Sequence, residues 1–313
     1  MITKLELQSQ HVPSEECVLR AVKSAFESLA EGHALQPSQT AVVLPDGEGD
    51  CIFYPGYVRS AGSFGVKVSP YLESRKRRGL GPVTAFTLLV SSESGLPELL
   101  VDSMRLTTER TAATTLLGVQ GILGGRQPSE IGIVGAGAIG RSHARYARQC
   151  FPGARLVVFS PSMSRGDALG KQRRQALEAE CSFVAVAQRI DQVLSGDVVM
   201  LCTSSGTPVI DVEATPANSL ITSVGTNLPN THEIDWRCLS KLGVYCDYRH
   251  TCPSTAGDMR LAIAEGCWSA DCVLGDIPDL LRCAERSPTN GRTYFRATGL
   301  ALEDIAVARL VAQ

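Results

Sequence analysis

Residues 131–150, IGIVGAGAIGRSHARYARQC, restrict the fold more than any other stretch. A short apolar run leads into glycines at 135, 137 and 140, and a helical segment follows. This G-x-G-x-x-G spacing has a mechanism only where a strand turns directly into a helix. Gly135 then permits the tight turn, Gly137 lets the backbone approach a pyrophosphate, and Gly140 lets helix and strand pack closely. The helix amino terminus presents free N–H groups to the phosphates. A glycine-rich turn that binds nothing would show the same letters, so the surrounding texture decides. Beyond the loop, ARLVVF reads as a strand and SRGDALGKQRRQALEAE as a helix, while DVVMLCT and NSLITSV are near-continuous apolar runs. Strands covered on both faces have that composition. The alternation implies an α/β fold built on a Rossmann-type, doubly wound parallel sheet.

The first hundred residues differ. PSEECVLRAVKSAFESLAEG (13–32) puts Val18, Val22, Ala25, Phe26 and Leu29 on one helical face, with Ser14, Glu16 and Gly32 suited to its ends. From 40 to 101 the short β-branched and aromatic runs TAVVL, CIFY, FGVKVS, VTAFTLLVS and PELLVD alternate with turn residues. They predict an antiparallel or mixed sheet. SMRLTTERTAATTLLGVQGIL (103–123) is helical, and GLALEDIAVARLVAQ closes the chain as a helix outside the βαβ pattern. That helix is expected to return to the first domain. The expected division is 1–120 with 299–313 as a smaller α+β domain, and 121–298 as the dinucleotide-binding domain.

A chain of 313 residues has ample material for such a core, and a formal net charge of -2 supplies no field to draw nucleic acid or an anionic membrane. No apolar stretch approaches the roughly 18 residues that span a bilayer. The opening MITKLELQSQHVPSEE lacks the apolar block of a secretory signal, so a cytoplasmic protein is expected. Eleven cysteines without zinc spacing read as reduced thiols, and no metal is expected. ESRKRRGLG is basic without interleaved aromatics, which reads as a solvated loop. His143 is expected to be structural, on the helix after the glycine loop.

The second βαβ strand ends at Ser160. An acid there would accept from the adenosine ribose and repel a 2'-phosphate. SPSMSR instead offers Ser160, Ser162 and Arg165, all able to donate to a phosphate, or to cap the next helix. NADPH is favoured on this ground, with NADH possible.

Several stretches together resemble the ornithine cyclodeaminase/mu-crystallin family: GVKV, GLGPVTAFTLLVSSESGLPELLVD, LTTERTAATT, IGIVGAGAIG, VGTNLPNTHEID and GLALEDIAVARL. The resemblance covers most of the chain in the family's order. It implies a substrate-binding and dimerisation domain made of the first part plus the terminal helix, an active site in the cleft between domains, and a homodimer. The family holds cyclodeaminases, amino-acid dehydrogenases, cyclic imino-acid reductases and mu-crystallin. Membership therefore leaves the reaction open.

By resemblance Lys67 and Arg110 hold the substrate carboxylate, a task suited to an ammonium and a planar guanidinium. An outward strand lysine and a surface arginine are the bland readings of the same residues. Thr84 and, as a further cation, Arg59 are expected to contact substrate. Dinucleotide contacts are expected at Gly135, Gly137, Ala138, Ile139, Gly140, Ser160, Ser162, Arg165, Thr203, Val224, Asn227 and Thr298. A threonine that cyclodeaminases carry two residues before Thr84 is Pro82 here. An early arginine is replaced by Gln36, Ser38 and Gln39.

Asn227 stands where the cyclodeaminases have an aspartate. Expelling ammonia from ornithine, or hydrolysing an open-chain imine, needs a carboxylate that changes charge. An amide cannot do so. Saturating a ready-made cyclic C=N needs only one proton, with Lys67 as candidate donor and Asn227 a neutral partner of cofactor or substrate. The expected reaction is reduction of Δ1-pyrroline-2-carboxylate to L-proline, or of its six-membered homologue to L-pipecolate. An alanine-type dehydrogenase, an ornithine cyclodeaminase and a mu-crystallin-like NADPH-dependent binder are the alternatives.

Overall fold

A computed structural model describes residues 5–6, 12–225, 230–282 and 291–312. Asn227 lies outside the described residues. The chain divides into two compact units, Met1–Arg110 with Gly299–Gln313, and Thr111–Thr298.

In the first unit, strands β1 (Leu5–Glu6), β2 (Ala34–Leu35), β3 (Thr40–Val43), β4 (Gly49–Val58), β5 (Ser63–Leu72), β6 (Phe86–Ser91) and β7 (Pro97–Asp102) form one sheet. Its order is β1-β7-β6-β5-β4-β2, with β3 also paired to β4. Among the described pairings only β1–β7 is parallel, which makes the sheet mixed. Helix α1 (Glu15–Ala30) begins at Ser14, whose hydroxyl accepts from the Cys17 N–H, and it buries Val18, Val22, Ala25 and Phe26. The basic run expected as a loop contains a short helix, α2 (Glu73–Arg77). Glu73 in its first turn and Arg75, Lys76 and Arg77 in its last complement the helix dipole, and Arg77 pairs with Glu48.

The C-terminal helix, Ala301–Val311, packs against the centre of this sheet. Two glycines make that approach possible. A β-carbon at Gly65 would lie 2.4 Å from Ile305 Cγ1, and one at Gly56 would lie 2.9 Å from Ala301 Cβ.

The second unit opens with the rest of helix α3 (Met104–Leu123) and contains an eight-stranded sheet. Its strands are β8 (Glu130–Val134), β9 (Arg155–Phe159), β10 (Ala185–Val186), β11 (Val198–Leu201), β12 (Leu220–Ser223), β13 (Gly243–Cys246), β14 (Val273–Asp276) and β15 (Thr293–Arg296). They run in the order β10-β9-β8-β11-β12-β15-β13-β14, and every described pairing is parallel. All residues of β11 and β12 are buried, including Thr222 and Ser223 at the end of β12. The strand order reverses between β8 and β11, and at such a switch point a crevice opens beyond the carboxyl ends. The segment expected as one helix after β9 is two. Helix α5 (Pro161–Arg165) stops at Gly166 with φ 68°, and α6 (Ala168–Glu180) starts afresh from Asp167, which caps Gly170 N–H at 2.7 Å. Earlier in the unit, helix α4 (Ala138–Cys150) connects β8 to β9. No helix among the described residues is long and apolar enough to cross a membrane. The ten described cysteines are free thiols.

The close approach at Gly65 gives a direct test. Gly65→Ala forces a methyl into Ile305 and is expected to cost about 1–3 kcal/mol in urea unfolding. Gly81→Ala meets nothing within 4 Å and is expected to stay within about 0.5 kcal/mol.

Candidate active site

Lys67 sits mid-strand in β5, opposite Tyr54 of β4 and Thr87 of β6. It is 2% exposed, so the outward-lysine reading does not hold. Its Nζ lies 3.0 Å from Asp304 Oδ2 and 4.1 Å from the centre of the Tyr54 ring. Arg110, in α3, is buried too. Its Nε donates to Asp304 Oδ1 and its Nη1 to Glu303 Oε2, both at 2.9 Å. Asp304 thus bridges the two cations. Glu303 also accepts from the Leu300 N–H at 3.2 Å, which ties the start of the C-terminal helix to the cluster. Gly299 precedes it with φ 80°, and a β-carbon there would fall 2.4 Å from Arg110 Nη1. A glycine is therefore required on both conformational and spatial grounds.

These surroundings set the titration of both cations. Burial lowers the Lys67 pKa to about 8, the Arg110 charge adds to the fall, and Asp304 opposes it. For Arg110 burial also works against charge, but the Asp304 and Glu303 carboxylates outweigh it and the pKa rises. The result is a permanent guanidinium beside a lysine able to exchange a proton near neutral pH.

The other expected substrate contacts are more scattered. Thr84 is half-buried beyond Lys67, its N–H donating to Pro70 O and its carbonyl accepting from Ser69 Oγ. Arg59 is exposed at the far end of β4, where a single helical turn begins, and is not brought to Lys67 and Arg110. Gln36 accepts from the Leu302 N–H at 3.2 Å, so it holds the C-terminal helix.

In the second unit the glycine loop has the steric form that a dinucleotide pyrophosphate requires. Gly135 has φ 117°, and a β-carbon there would lie 2.4 Å from the Cys202 carbonyl oxygen. At Gly140 the added carbon would lie 2.0 Å from Gly135 O. At Gly137 it would meet nothing within 4 Å, which leaves the backbone open to an approaching group. Helix α4 starts directly after Gly137 with no side chain capping it, Ala138 is exposed and Ile139 half-buried. Uncapped N–H groups beside open space suit a pyrophosphate.

At the end of β9, Ser160 and Ser162 are buried with their hydroxyl oxygens 3.0 Å apart. Ser160 makes no side-chain cap to α5. The guanidinium that reaches them is Arg173 of α6, donating to Ser162 Oγ at 2.7 Å, while the Arg165 side chain lies outside the described residues. Thr203, after β11, donates its N–H and hydroxyl to Glu233 Oε1 at 2.8 and 2.7 Å. Ser223 donates to Glu233 Oε2 at 2.8 Å, so one buried carboxylate clamps the carboxyl ends of β11 and β12. Val224 is half-buried just beyond β12. Thr298 follows β15, its N–H held by Asp247 at 2.6 Å. The glycine loop, Ser160, Thr203, Val224 and Thr298 all follow carboxyl ends of parallel strands, the side on which such sheets bind ligands.

His143 is buried between Ile139 O at 2.7 Å and Thr115 Oγ1 at 3.0 Å, and burial lowers its pKa to about 4. It is neutral and structural. Cys246, Asp247 and Cys252 come close together, but the Asp247 carboxylate is already taken by Thr298 and the Tyr248 N–H. Sequence reasoning missed Tyr54, Arg173, Glu233, Glu303 and Asp304 as site groups. The last two carried a signal: adjacent acids in an otherwise apolar helix need buried cations to face.

The chain matches the ornithine cyclodeaminase/mu-crystallin family over residues 2–313. It is 40% identical over 294 residues to the NAD(P)H-dependent anabolic L-arginine dehydrogenase DauB of Pseudomonas aeruginosa, which covers 93% of this chain and 90% of that protein. With the Delta(1)-pyrroline-2-carboxylate reductase of Paracoccus denitrificans it shares 26% identity over 295 residues, 93% of this chain and 92% of that one. The structure of the Thermococcus litoralis Delta(1)-pyrroline-2-carboxylate reductase in complex with NADH and L-proline superposes at a TM-score of 0.88 and 21% identity, over 100% of this chain and 96% of that chain. At that identity the likeness is one of fold. With the family match running through both units, this chain belongs to the ornithine cyclodeaminase/mu-crystallin family.

Proposed function

We propose that this chain reduces the C=N bond of a 2-imino acid with NAD(P)H to give the L-amino acid. Membership of the family and the nature of its relatives make it an NAD(P)H-dependent oxidoreductase. The observation that carries the finer reading is the buried pair Lys67 and Arg110, with Lys67 at a pKa of about 8. Together the two bind the carboxylate next to the imine carbon. An ammonium has three N–H donors and a guanidinium five, more than their three contacts to Asp304 and Glu303 use. Lys67 then supplies the proton that the imine nitrogen needs.

The residues of the glycine loop would hold the cofactor pyrophosphate, and the dihydronicotinamide supplies the hydride when bound. Ser160, Ser162 and Arg173, with no acid at the end of β9, favour NADPH over NADH. Relatives named mu-crystallin are themselves ketimine reductases, which weakens the pure-binder alternative.

Ring size and chain type divide the relatives. Asn227 argues for a cyclic substrate, Δ1-pyrroline-2-carboxylate giving L-proline. The 40%-identical relative argues for an open-chain imine, the one formed from ammonia and an arginine-like 2-oxo acid. The greater identity favours the open chain. NADPH oxidation with both imines, and with ornithine plus NAD, tests the proposal. Turnover of either imine without proline from ornithine is expected. Inertness to both, or cyclodeamination, refutes it.

The proton role has a pH signature. Lys67 carries its proton below its pKa and loses it above, so kcat/KM for reduction should hold below about pH 8 and fall beyond it. Asp304→Asn removes a charge that keeps Lys67 protonated, and should move the fall to lower pH by about one unit or more. An unmoved profile would remove Lys67 from the proton step.

A second copy of the chain is the proposed partner. The sheet face of the first unit turned away from Lys67 carries the cross-strand rows Tyr57–Phe64–Val90, Pro55–Val66–Leu88 and Phe53–Val68–Phe86. All are half-buried, or exposed in the case of Phe64 at 51%, and a monomer rarely leaves so continuous an apolar face in water. Sedimentation should show a dimer, and Val66→Asp with Leu88→Asp a monomer. A wild-type monomer would overturn this.

A further inference from the structure

The sheet face that carries Lys67 continues beyond it. Strands β4 and β5 stay in register from Lys67 opposite Tyr54, through Ser69 opposite Ile52, to Tyr71 opposite Asp50. Alternation puts all three pairs on the same face. The C-terminal helix covers only the other half. It starts at Lys67 and Arg110, crosses Gly56 and Gly65, and ends where Arg309 binds Glu98, the acid that also accepts from Ser63. Its course therefore leads away from Asp50.

Asp50 is half-buried, and desolvation raises its pKa. Among the described residues it has no hydrogen-bond or ion-pair partner on its carboxylate. The nearby cations are engaged elsewhere: Arg77 with Glu48, Lys76 with Glu73, and Arg75 with the Gly81 carbonyl. Tyr71, its cross-strand neighbour, donates to Glu73 rather than to Asp50. A partly desolvated carboxylate with no cation is costly to keep unless a ligand supplies one.

We infer that Asp50 binds the cationic end of an open-chain basic 2-imino acid, guanidinium or ammonium, whose carboxylate is held by Lys67 and Arg110. This rests on the imino-acid reading above and names its substrate class. The lengths agree. Four residues along a strand span roughly 13 Å, and side chains stand nearly perpendicular to the sheet. An extended arginine-like chain measures roughly 7–8 Å from carboxylate to guanidinium at standard bond lengths. An ionic contact of about 2.8 Å at each end fills the remainder. A five-membered cyclic imine would leave Asp50 untouched.

Three substrates read this out in the full-length protein with NADPH and ammonia: the guanidino 2-oxo acid of the arginine skeleton, 2-oxohexanoate as its uncharged counterpart, and preformed Δ1-pyrroline-2-carboxylate. Wild type should prefer the guanidino imine at least tenfold over the 2-oxohexanoate imine. Asp50→Asn should lower kcat/KM for the guanidino imine at least tenfold while changing the other two less than twofold, which also reports intact folding. Asp50→Glu should recover part of the loss. A uniform fall on all three, an unchanged guanidino substrate, or a wild type indifferent to the cation overturns the assignment of Asp50 and leaves imine reduction standing. Failure to reduce any imine overturns both.

Discussion

The first unit depends on four buried charges. Lys67 and Arg110 come from the first 110 residues, and Glu303 and Asp304 lie more than 190 residues later. None of the four is stable alone in an apolar interior, because an unpaired buried charge costs several kcal/mol. The two acids therefore fix both the register and the rotation of the C-terminal helix on the sheet. Buried ion pairs are weak sources of net stability but strong sources of specificity. Here the specificity has a chemical use. The same contacts that position the helix hold two cations side by side and leave one of them near its titration point.

The second unit follows another logic. Its parallel strands are largely apolar, and polar groups gather at and just past the carboxyl ends of β11 and β12. Glu233 gathers Thr203 and Ser223 there, while Arg296 donates to the carbonyls of Ser223, Gly225 and Ala297. Such fixed donors and acceptors give the ends of β11 and β12 a set geometry. This part of the chain is generic to dinucleotide binding, and on the proposed function substrate choice falls to the first unit.

That contrast governs what was legible in the sequence. The parallel sheet and glycine loop were readable because their constraints are local: Gly135, Gly137 and Gly140 lie within six residues, the first and last sterically obligatory and the middle one facing open space. Local signals were also misread. Gly166 and Asp167 form a helix stop and a helix cap, yet the segment reads as one helix when only its polar texture is weighed. Arg173, on the second of the two helices, donates to Ser162. The charged cluster was hidden for a different reason. An arginine in TTERTAATT looks like a surface residue until its acids are known, and those lie in a helix at the other end of the chain. Family resemblance supplied Lys67 and Arg110, but only the fold supplied their counter-charges.

The amide at 227 raises the question of which group handles protons if no aspartate stands there. Glu233 is the acid six residues on, and it is a poor substitute. Its Oε1 accepts two hydrogen bonds from Thr203 and its Oε2 one from Ser223, so both oxygens are committed to holding the strand ends. His143 is neutral and walled in by Ile139 and Thr115. Lys67 has the opposite properties. Its charge is marginal because burial and Arg110 oppose it while Asp304 supports it, and a small change in the neighbouring charge moves the balance. A substrate carboxylate arriving beside it would favour the protonated form. On the proposed function, binding would thus load the donor, and a carboxylate next to the imine would be a condition for proton delivery as well as an anchor.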